Sequence, residues 1–349
     1  MLLRIALIIM TLMVLISTSA FAATSKKGEK DTSVALRGES KVGDGYKLFF
    51  DKKKKSSLHV HGFTRLYMYF TEDPDKNLRM PYFRFYVDGQ KDEHWAFHSR
   101  FDYRQGHFSN SNSGALSNAN GGTTPGIYFA RAYTTYTYNE NFKIDAGRNI
   151  NFHHKYDVLA LAELEVGLGF FPRFKYGNFS FDMSYIYMDE SQRMSPADEP
   201  EASYYGGRVS YSVKASKDFK IDMGLGFNGS HMEDVAEYRQ FTPDLTFNLP
   251  CDSWILNQFM WRKYTDNIKP VIENYIEIGK DFSEKVSADI YFVYQKNGTA
   301  ESVHEIGFEY YYKFTKAFMI VGIADISGIR ADSDRDRSYN LKSIIEYKF

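Results

Sequence analysis

Large apolar residues and small polar residues alternate along most of this chain. Between Phe179 and Tyr185, the odd positions carry phenylalanine, methionine or tyrosine, and the even positions carry serine or aspartate. The segments 219–223, 286–290 and 306–310 follow the same rule. A period of two places successive side chains on opposite faces of a β-strand. The pattern therefore predicts an all-β protein whose strands each have one apolar and one polar face.

The connections between the predicted strands alternate in length. Short polar links, such as Asn139–Asn141, Gly177-Asn178 and Pro250–Asp252, are separated by longer ones, such as 105–125. Short turns at one end and long loops at the other are typical of outer-membrane barrels. Dividing the chain at these links gives about 16 strands, enough to enclose an aqueous channel. We therefore predict a transmembrane, antiparallel, up-and-down β-barrel over residues 58–349.

The first 22 residues have the layout of a secretory signal peptide. Arg4 supplies a positive charge, residues 5–16 form an apolar run, and Ala20-Phe21-Ala22 offers a small-residue cleavage site. The apolar run is shorter than the roughly 20 residues that a spanning helix needs, so we expect cleavage after residue 22. Residues 23–57, which are rich in lysine and poor in apolar side chains, are then expected to be a mostly flexible periplasmic N-terminal extension.

Composition narrows the class of protein. The chain has 27 tyrosines and 29 phenylalanines, and aromatic residues make up 17% of it. Such abundance suits a barrel whose outer surface carries aromatic girdles at both membrane interfaces. Cys251 is the single cysteine, which excludes an intramolecular disulfide and a covalently attached c-type haem. The formal net charge of -1 argues against a nucleic-acid partner.

The chain ends on an amphipathic strand. Ile345, Tyr347 and Phe349 share one face, and the last residue is aromatic. This ending resembles the terminal-strand signature that the bacterial barrel-assembly machinery recognises, which implies that machinery as a partner contacting these three residues. Together with the signal peptide, it predicts a multi-pass barrel in the outer membrane of a Gram-negative bacterium, surrounded by outer-membrane lipid.

The alternation also assigns charged residues to the lumen, because a charge facing lipid near the bilayer midplane costs roughly 2–4 kcal/mol. The first half of the predicted wall is basic, with Arg65, Arg84, Arg100, Arg104, Arg131, Arg173, Lys175 and Arg208. The second half is acidic, with Glu273, Glu277, Asp289, Glu305 and Glu309. The halves of a closed barrel face each other, so this segregation predicts a transverse field across a pore whose lining charges set its selectivity.

The connection at 151–166 is too apolar for an exposed loop, and residues 158–165 favour a helix. We expect it to pack against the inner wall. Over about residues 58–349 the plan resembles that of the sixteen-stranded trimeric porins, of the general or the phosphate-selective type. In that family the third external loop folds into the barrel, and its acidic residues face an arginine cluster. The resemblance implies this constriction role for Asp157, Glu163 and Glu165, and it implies a homotrimer.

The sequence predicts passive diffusion of small hydrophilic solutes or ions through a charge-lined aqueous pore. This function needs no catalytic residue, metal or cofactor, so we expect the chain not to be an enzyme. Two alternatives stay open. One is a barrel that sheathes a multihaem cytochrome for electron transfer across the outer membrane, which requires a wide, empty lumen. The other is an outer-membrane barrel hydrolase, which requires a nucleophile and a base side by side.

Overall fold

In a computed structural model the chain forms a closed antiparallel β-barrel, and the part that the structure describes contains strands and no helix. Thus no helix of the described part is long and apolar enough to cross a membrane. The structure describes residues 46–51, 56–69, 78–104, 126–150, 166–188, 202–216, 218–232, 237–265, 269–298, 302–328 and 338–348. The strands are β1 Tyr46–Asp51, β2 Ser56–Tyr69, β3 Leu78–Gln90, β4 Trp95–Arg104, β5 Gly126–Asn139, β6 Phe142–Ile150, β7 Val166–Tyr176, β8 Phe179–Met188, β9 Ala202–Lys214, β10 Lys220–Met232, β11 Tyr238–Leu249, β12 Ser253–Tyr264, β13 Val271–Asp281, β14 Val286–Asn297, β15 Val303–Lys313, β16 Phe318–Ser327 and β17 Ser338–Lys348.

Sixteen of these strands, β2 to β17, form the ring. Each pairs with the strand before it and the strand after it, and β17 pairs with β2 to close the barrel. The closing register sets Glu346 opposite Arg65 and Lys348 opposite Phe63. Closure satisfies the backbone donors and acceptors that an open sheet edge would expose. The predicted fold class and the predicted number of strands are confirmed.

β1 lies inside the segment predicted as an N-terminal extension. It pairs with the start of β2, from Tyr46 opposite Val60 to Asp51 opposite Ser56. The rest of that edge of β2, from Phe63 onward, pairs with β17. β1 and β17 therefore lie end to end along the same edge of β2. Strand β2 begins at Ser56, slightly before the predicted start of the barrel at Leu58.

The two faces of the sheet differ as the alternation predicts. On β11, Gln240, Thr242 and Asp244 are buried, whereas Phe241 between them is 47% exposed. On β14, Asp289 is buried and its neighbour Ile290 is 56% exposed. A protein surrounded by water would bury the apolar residues and expose the polar ones. The arrangement here, with polar side chains inside and apolar side chains outside, is the one that a hydrocarbon environment favours.

Aromatic rings gather where the short turns join the strands. The Trp95 and Tyr136 ring centroids are 4.7 Å apart, and those of Phe142 and Phe174 are 4.6 Å apart. Tyr176, next to the turn between β7 and β8, is 81% exposed. Amphipathic rings are enriched at the level of the lipid headgroups, so these residues mark one end of the apolar band.

The short turns fall at the predicted links. Three residues in these turns have a positive φ, which is 56° at Gly177, 66° at Cys251 and 56° at Asp252. A positive φ matches the right-handed twist of a tight hairpin. In the turn between β3 and β4, Asp92 accepts hydrogen bonds from the backbone N–H groups of His94 and Trp95, and these bonds lower the pKa of the Asp92 carboxyl. The predicted long connections 105–125 and 152–164 lie outside the described residues.

Candidate functional site

An arginine–aspartate cluster occupies the inner faces of β3 and β4. The register sets Arg84 opposite Asp102, so the two side chains share a face. Arg84 donates to Asp102 from Nε at 2.9 Å, and Arg100 donates to both carboxylate oxygens, at 3.0 and 2.7 Å. All three side chains are buried. Two guanidinium groups therefore share one carboxylate, which leaves the cluster positive.

Phe63, which the alternation did not single out, supports this cluster. The guanidinium carbons of Arg65 and Arg84 lie 4.6 and 5.4 Å from the centre of the Phe63 ring. Stacking of this kind favours a cation over an aromatic face. Arg65 also donates from Nε to Glu346 at 2.6 Å, across the seam between β2 and β17. The ring of Phe63 is fully buried, so it fixes both arginines in place.

Two histidines share a carboxylate at the next level of the same wall. His61 Nε2 and His98 Nδ1 lie 2.5 and 2.8 Å from the two oxygens of Asp88. The His61 ring stacks on Tyr86, and the His98 ring stacks on Tyr133. These aromatic contacts hold the imidazoles against the wall. The described residues contain no group of His, Cys, Asp and Glu that could hold a metal ion.

The basic side chains continue on β5 to β7. Arg131 lies opposite Arg100 in the register of β4 and β5. Arg173 donates from Nη2 to both oxygens of Asp145, at 2.8 and 2.7 Å, and Asp145 also accepts from the Thr135 hydroxyl at 2.7 Å. Asp145 is fully buried, so its charge is stabilised by these donors.

A third group of basic residues lies on β9 to β12. Arg208 forms an ion pair with Asp244, although β10 separates their strands. The Arg208 side chain crosses β10 at Gly224, where a Cβ atom would collide with the guanidinium. Arg262 donates to the side-chain oxygen of Gln240 at 2.8 and 2.6 Å. These arginines are buried, at 5% and 2% exposure.

The acidic residues of β13 to β15 are hydrogen-bonded by neutral donors. Glu277 accepts from Trp254 Nε1 and from the Tyr275 hydroxyl, both at 2.6 Å. On the neighbouring strands, Glu305 accepts from the Tyr291 hydroxyl at 2.9 Å. Neutral donors orient a carboxylate without cancelling its charge.

The same pattern of neutral donors holds for the other acidic positions. Glu273 accepts from the Gln295 amide at 2.8 Å, and Glu309 accepts from the Tyr311 hydroxyl. Asp289 lies directly opposite Glu309 in the register. The inner face of β13 to β15 thus carries five acidic side chains, and the buried Arg262 adjoins it on β12.

Apolar clusters also lie on the inner wall, and the alternation gave no sign of them. One cluster comprises Leu256, Met260, Val271, Tyr275, Tyr291 and Val293, and another comprises Phe171, Ile186, Tyr204 and Tyr238. A third joins Val321, Ile323 and Ile344. Alternating apolar and polar residues show which face of a strand points to the lumen. When both faces of a strand are apolar, the sequence does not show which face points inward.

The remaining predicted site residues are placed as follows. Arg104 ends β4, and Lys175 lies near the end of β7 with an exposed side chain. Asp157, Glu163 and Glu165 of the predicted constriction loop lie outside the described residues. The sequence reasoning missed three partners of the arginines, which are Asp145, Asp244 and Glu346. Their alternating positions are visible in the sequence, but their pairing depends on the register between strands.

The fold and the inner wall define a closed barrel of sixteen strands with a charged interior. No protein-family model and no characterised protein sequence matches the chain. Solved structures do match. The structure of Salmonella typhi OmpF in complex with daunomycin is 14% identical, with a TM-score of 0.61 over 87% of this chain and 100% of that one.

Two further solved structures share this architecture. OmpT, an outer membrane protein of Vibrio cholerae in a trimer form, is 13% identical, with a TM-score of 0.59 over 84% of this chain and 99% of that one. An anion-selective porin from Comamonas acidovorans is 14% identical, with a TM-score of 0.57 over 84% of this chain and 100% of that one. At these identities the likeness concerns the fold.

Proposed function

We propose that this chain is an outer-membrane porin of a Gram-negative bacterium, through which small hydrophilic solutes diffuse passively. The observation that carries the proposal is the sixteen-stranded closed sheet with charged side chains buried inside it and large apolar side chains exposed outside. A barrel of this strand number is wide enough for an aqueous channel. Passage through such a channel needs neither covalent chemistry nor a cofactor.

The placement of charge supports selective diffusion. Strand β5, with Arg131, and strand β13, with Glu273 and Glu277, are eight strands apart in the ring of sixteen, and so lie on opposite sides of the lumen. Basic and acidic walls that face each other produce a field across the pore. A charged solute then experiences attraction on one side and repulsion on the other, so its orientation and its rate of passage depend on its charge.

The assembly is part of the proposal. We propose three copies per porin, since the fold is shared with a Vibrio cholerae outer membrane protein solved in a trimer form. Tyr347, 48% exposed, lies on the outer face of β17 with Ile345, and these residues with Phe349 would contact the barrel-assembly machinery. Asp157, Glu163 and Glu165 would supply the acidic residues of a constriction loop.

Planar lipid bilayers test the porin directly. The purified protein should add conductance in discrete steps, and changing Arg65, Arg84 and Arg100 together to glutamine should lower the permeability of anions relative to cations, measured as the reversal potential in a salt gradient. The reason is that these arginines place positive charge on one stretch of wall, next to Asp102 and Glu346.

The matched control adds Asp102→Asn to the triple variant. Removing the carboxylate that Arg84 and Arg100 share should move the reversal potential back toward that of the original protein. Folding of each variant is checked by its circular dichroism in detergent. Absence of conductance steps from correctly folded protein would refute the porin.

A further inference from the structure

Three histidines surround one carboxylate on the inner faces of β2, β3 and β4. In the register, Asp88 on β3 lies directly opposite His59 on β2 and directly opposite His98 on β4. His61 is its diagonal neighbour on the same face of β2. The two oxygens of Asp88 lie 2.5 Å from His61 Nε2 and 2.8 Å from His98 Nδ1. We call these four residues the histidine cluster.

The histidine cluster lies near one mouth of the barrel, in contact with water. Asp88 is two residues from the end of β3, where a short turn leads to β4, and short turns are on the periplasmic side of outer-membrane barrels. The side chains of His61, Asp88 and His98 are 18%, 31% and 35% exposed. Arg84 and Asp102, farther along the same two strands, are buried. Protons and ions in the lumen can therefore reach the cluster.

Charged residues of other types also occupy the inner face around the cluster. They include Lys47 on β1, Arg65 on β2, Arg84 on β3, Arg100 and Asp102 on β4, Arg131 on β5, Lys143 and Asp145 on β6, Arg173 and Lys175 on β7, and Glu346 and Lys348 on β17. Carboxylic acids ordinarily titrate near pH 4, and lysines and arginines above about pH 10. Imidazoles are the side chains that change charge between about pH 5 and 8, so in this pH range the charge of the wall changes at the histidines.

Protonation adds a positive charge to each ring and keeps its contact with Asp88. A neutral imidazole donates a hydrogen bond from one nitrogen, and an imidazolium donates from both. The rings of His61 and His98 stack on Tyr86 and Tyr133, with centroids 4.9 Å apart in each case. An aromatic face attracts a cation. The cluster can therefore take up protons while its side chains stay in place.

We propose that the histidine cluster makes the ion selectivity of the pore depend on pH. With neutral imidazoles the cluster carries the negative charge of Asp88, and with three imidazoliums its net charge is positive. A charge at the mouth of a pore attracts ions of the opposite sign and repels ions of its own sign. Acidification from about pH 8 to about pH 5.5 therefore shifts the preference of the pore toward anions. This inference rests on the proposed passage of ions through the barrel.

Reversal potentials in planar bilayers, measured across a potassium chloride gradient at these two pH values, test the proposal. On acidification the permeability of chloride relative to potassium should rise at least about twofold, since a unit charge about 8 Å from an ion changes its energy by about RT even in bulk water. The triple variant His59→Gln, His61→Gln and His98→Gln keeps polar side chains but cannot gain charge, so it should abolish the rise.

Single variants resolve the contributions within the cluster. His98→Gln should remove more of the rise than His61→Gln, because Nδ1 of His61 is buried and has no hydrogen-bond partner in the described structure. Asp88→Asn should raise the relative permeability of chloride at pH 8, because it removes the negative charge that remains there.

His231→Gln is the matched control. His231 is 74% exposed and lies at the end of β10 away from the short turns, so its loss should leave the rise unchanged. His94, in the turn between β3 and β4, lies 3.8 Å from Glu93 and is unchanged in every variant. Circular dichroism in detergent at both pH values checks that each variant is folded.

Potentiometric titration of the folded protein in detergent separates this proposal from the porin itself. Between about pH 8 and 5.5 the original protein should take up about two to three protons more than the triple variant. Equal proton uptake, open channels whose reversal potential is the same at both pH values, or a rise that the triple variant retains would each overturn the role of the cluster and leave the porin in place. Channels that never open, in a folded protein whose cluster takes up these protons, would overturn the porin and, with it, the role of the cluster in selectivity.

Discussion

At the scale of single residues, a glycine makes one of the buried ion pairs possible. Arg208 on β9 reaches Asp244 on β11 across the intervening strand β10. Its side chain passes over Gly224 of β10, which is paired with Asp244 on one side and with Ser210 on the other. A side chain at position 224 would occupy the space of the Arg208 guanidinium. A glycine is therefore needed at position 224 because the Arg208 side chain passes close to its backbone, and not because the chain turns there.

Gly224→Ala should lower the free energy of unfolding by about 3 kcal/mol, the cost expected when a buried ion pair is broken. The measurement is urea unfolding in lipid vesicles, followed by tryptophan fluorescence. Gly322→Ala is the control, because a Cβ atom there meets nothing within 4 Å. Equal losses for the two variants would show that Arg208 holds Asp244 without needing Gly224.

The alternation of apolar and polar residues predicts which face a side chain lies on, but not which residue it contacts. It placed Arg84 and Arg100 on the polar face of their strands, and both side chains are buried there. It did not reveal that both donate to Asp102. Which carboxylate meets which guanidinium depends on the register of β3 against β4, and one residue of slip would change every partner.

At the scale of elements, β2 has two different partners along one edge. Its first residues, up to Val60, pair with β1, and those from Phe63 onward pair with β17. Its other edge pairs with β3 over nearly the full length. β1 therefore covers an edge that would otherwise extend past the ring as a row of unpaired backbone groups.

Deleting Tyr46–Asp51 should expose this stretch of β2 and leave the ring closed. Hydrogen exchange followed by mass spectrometry should show amides in Ser56–Val60 exchanging at least about tenfold faster, because local protection follows local hydrogen bonding. The amides of Phe63–Met68 serve as the internal control, since β17 still pairs with them. Faster exchange across all of β2 would mean instead that β1 supports the closure of the barrel.

At the scale of the whole molecule, closure depends on residues far apart in the chain. The seam between β2 and β17 contains the hydrogen bond from Arg65 to Glu346, which spans a sequence separation of 281 residues. Glu346 is 1% exposed, and Lys348 lies 3.5 Å from its other oxygen. Long-range pairing forms late and slowly, so an ion pair at the seam stabilises the step that completes the ring.

A double-mutant cycle measures this contribution. Arg65→Gln and Glu346→Gln should each destabilise the barrel, and the cycle should give a coupling energy of about 1–3 kcal/mol, the range for residues in direct contact. The free energies come from urea unfolding in vesicles. Arg65→Gln combined with Asp102→Asn, whose partner arginines are Arg84 and Arg100, is the comparison pair and should show weaker coupling. A seam coupling near zero would mean that the backbone pairing alone closes the ring.

The sequence by itself determined the strands, the turns between them and a ring of about sixteen strands. This was possible because those features depend on neighbouring residues, through the period of two and the chemistry of short links. On β16, however, both faces are apolar, with Val321 and Ile323 inside and Ile320 and Ala324 outside. Only the tertiary structure decided the orientation of that strand, the carboxylate partner of each arginine and the place of β1, because each depends on the register between strands that the chain brings together only when the barrel closes.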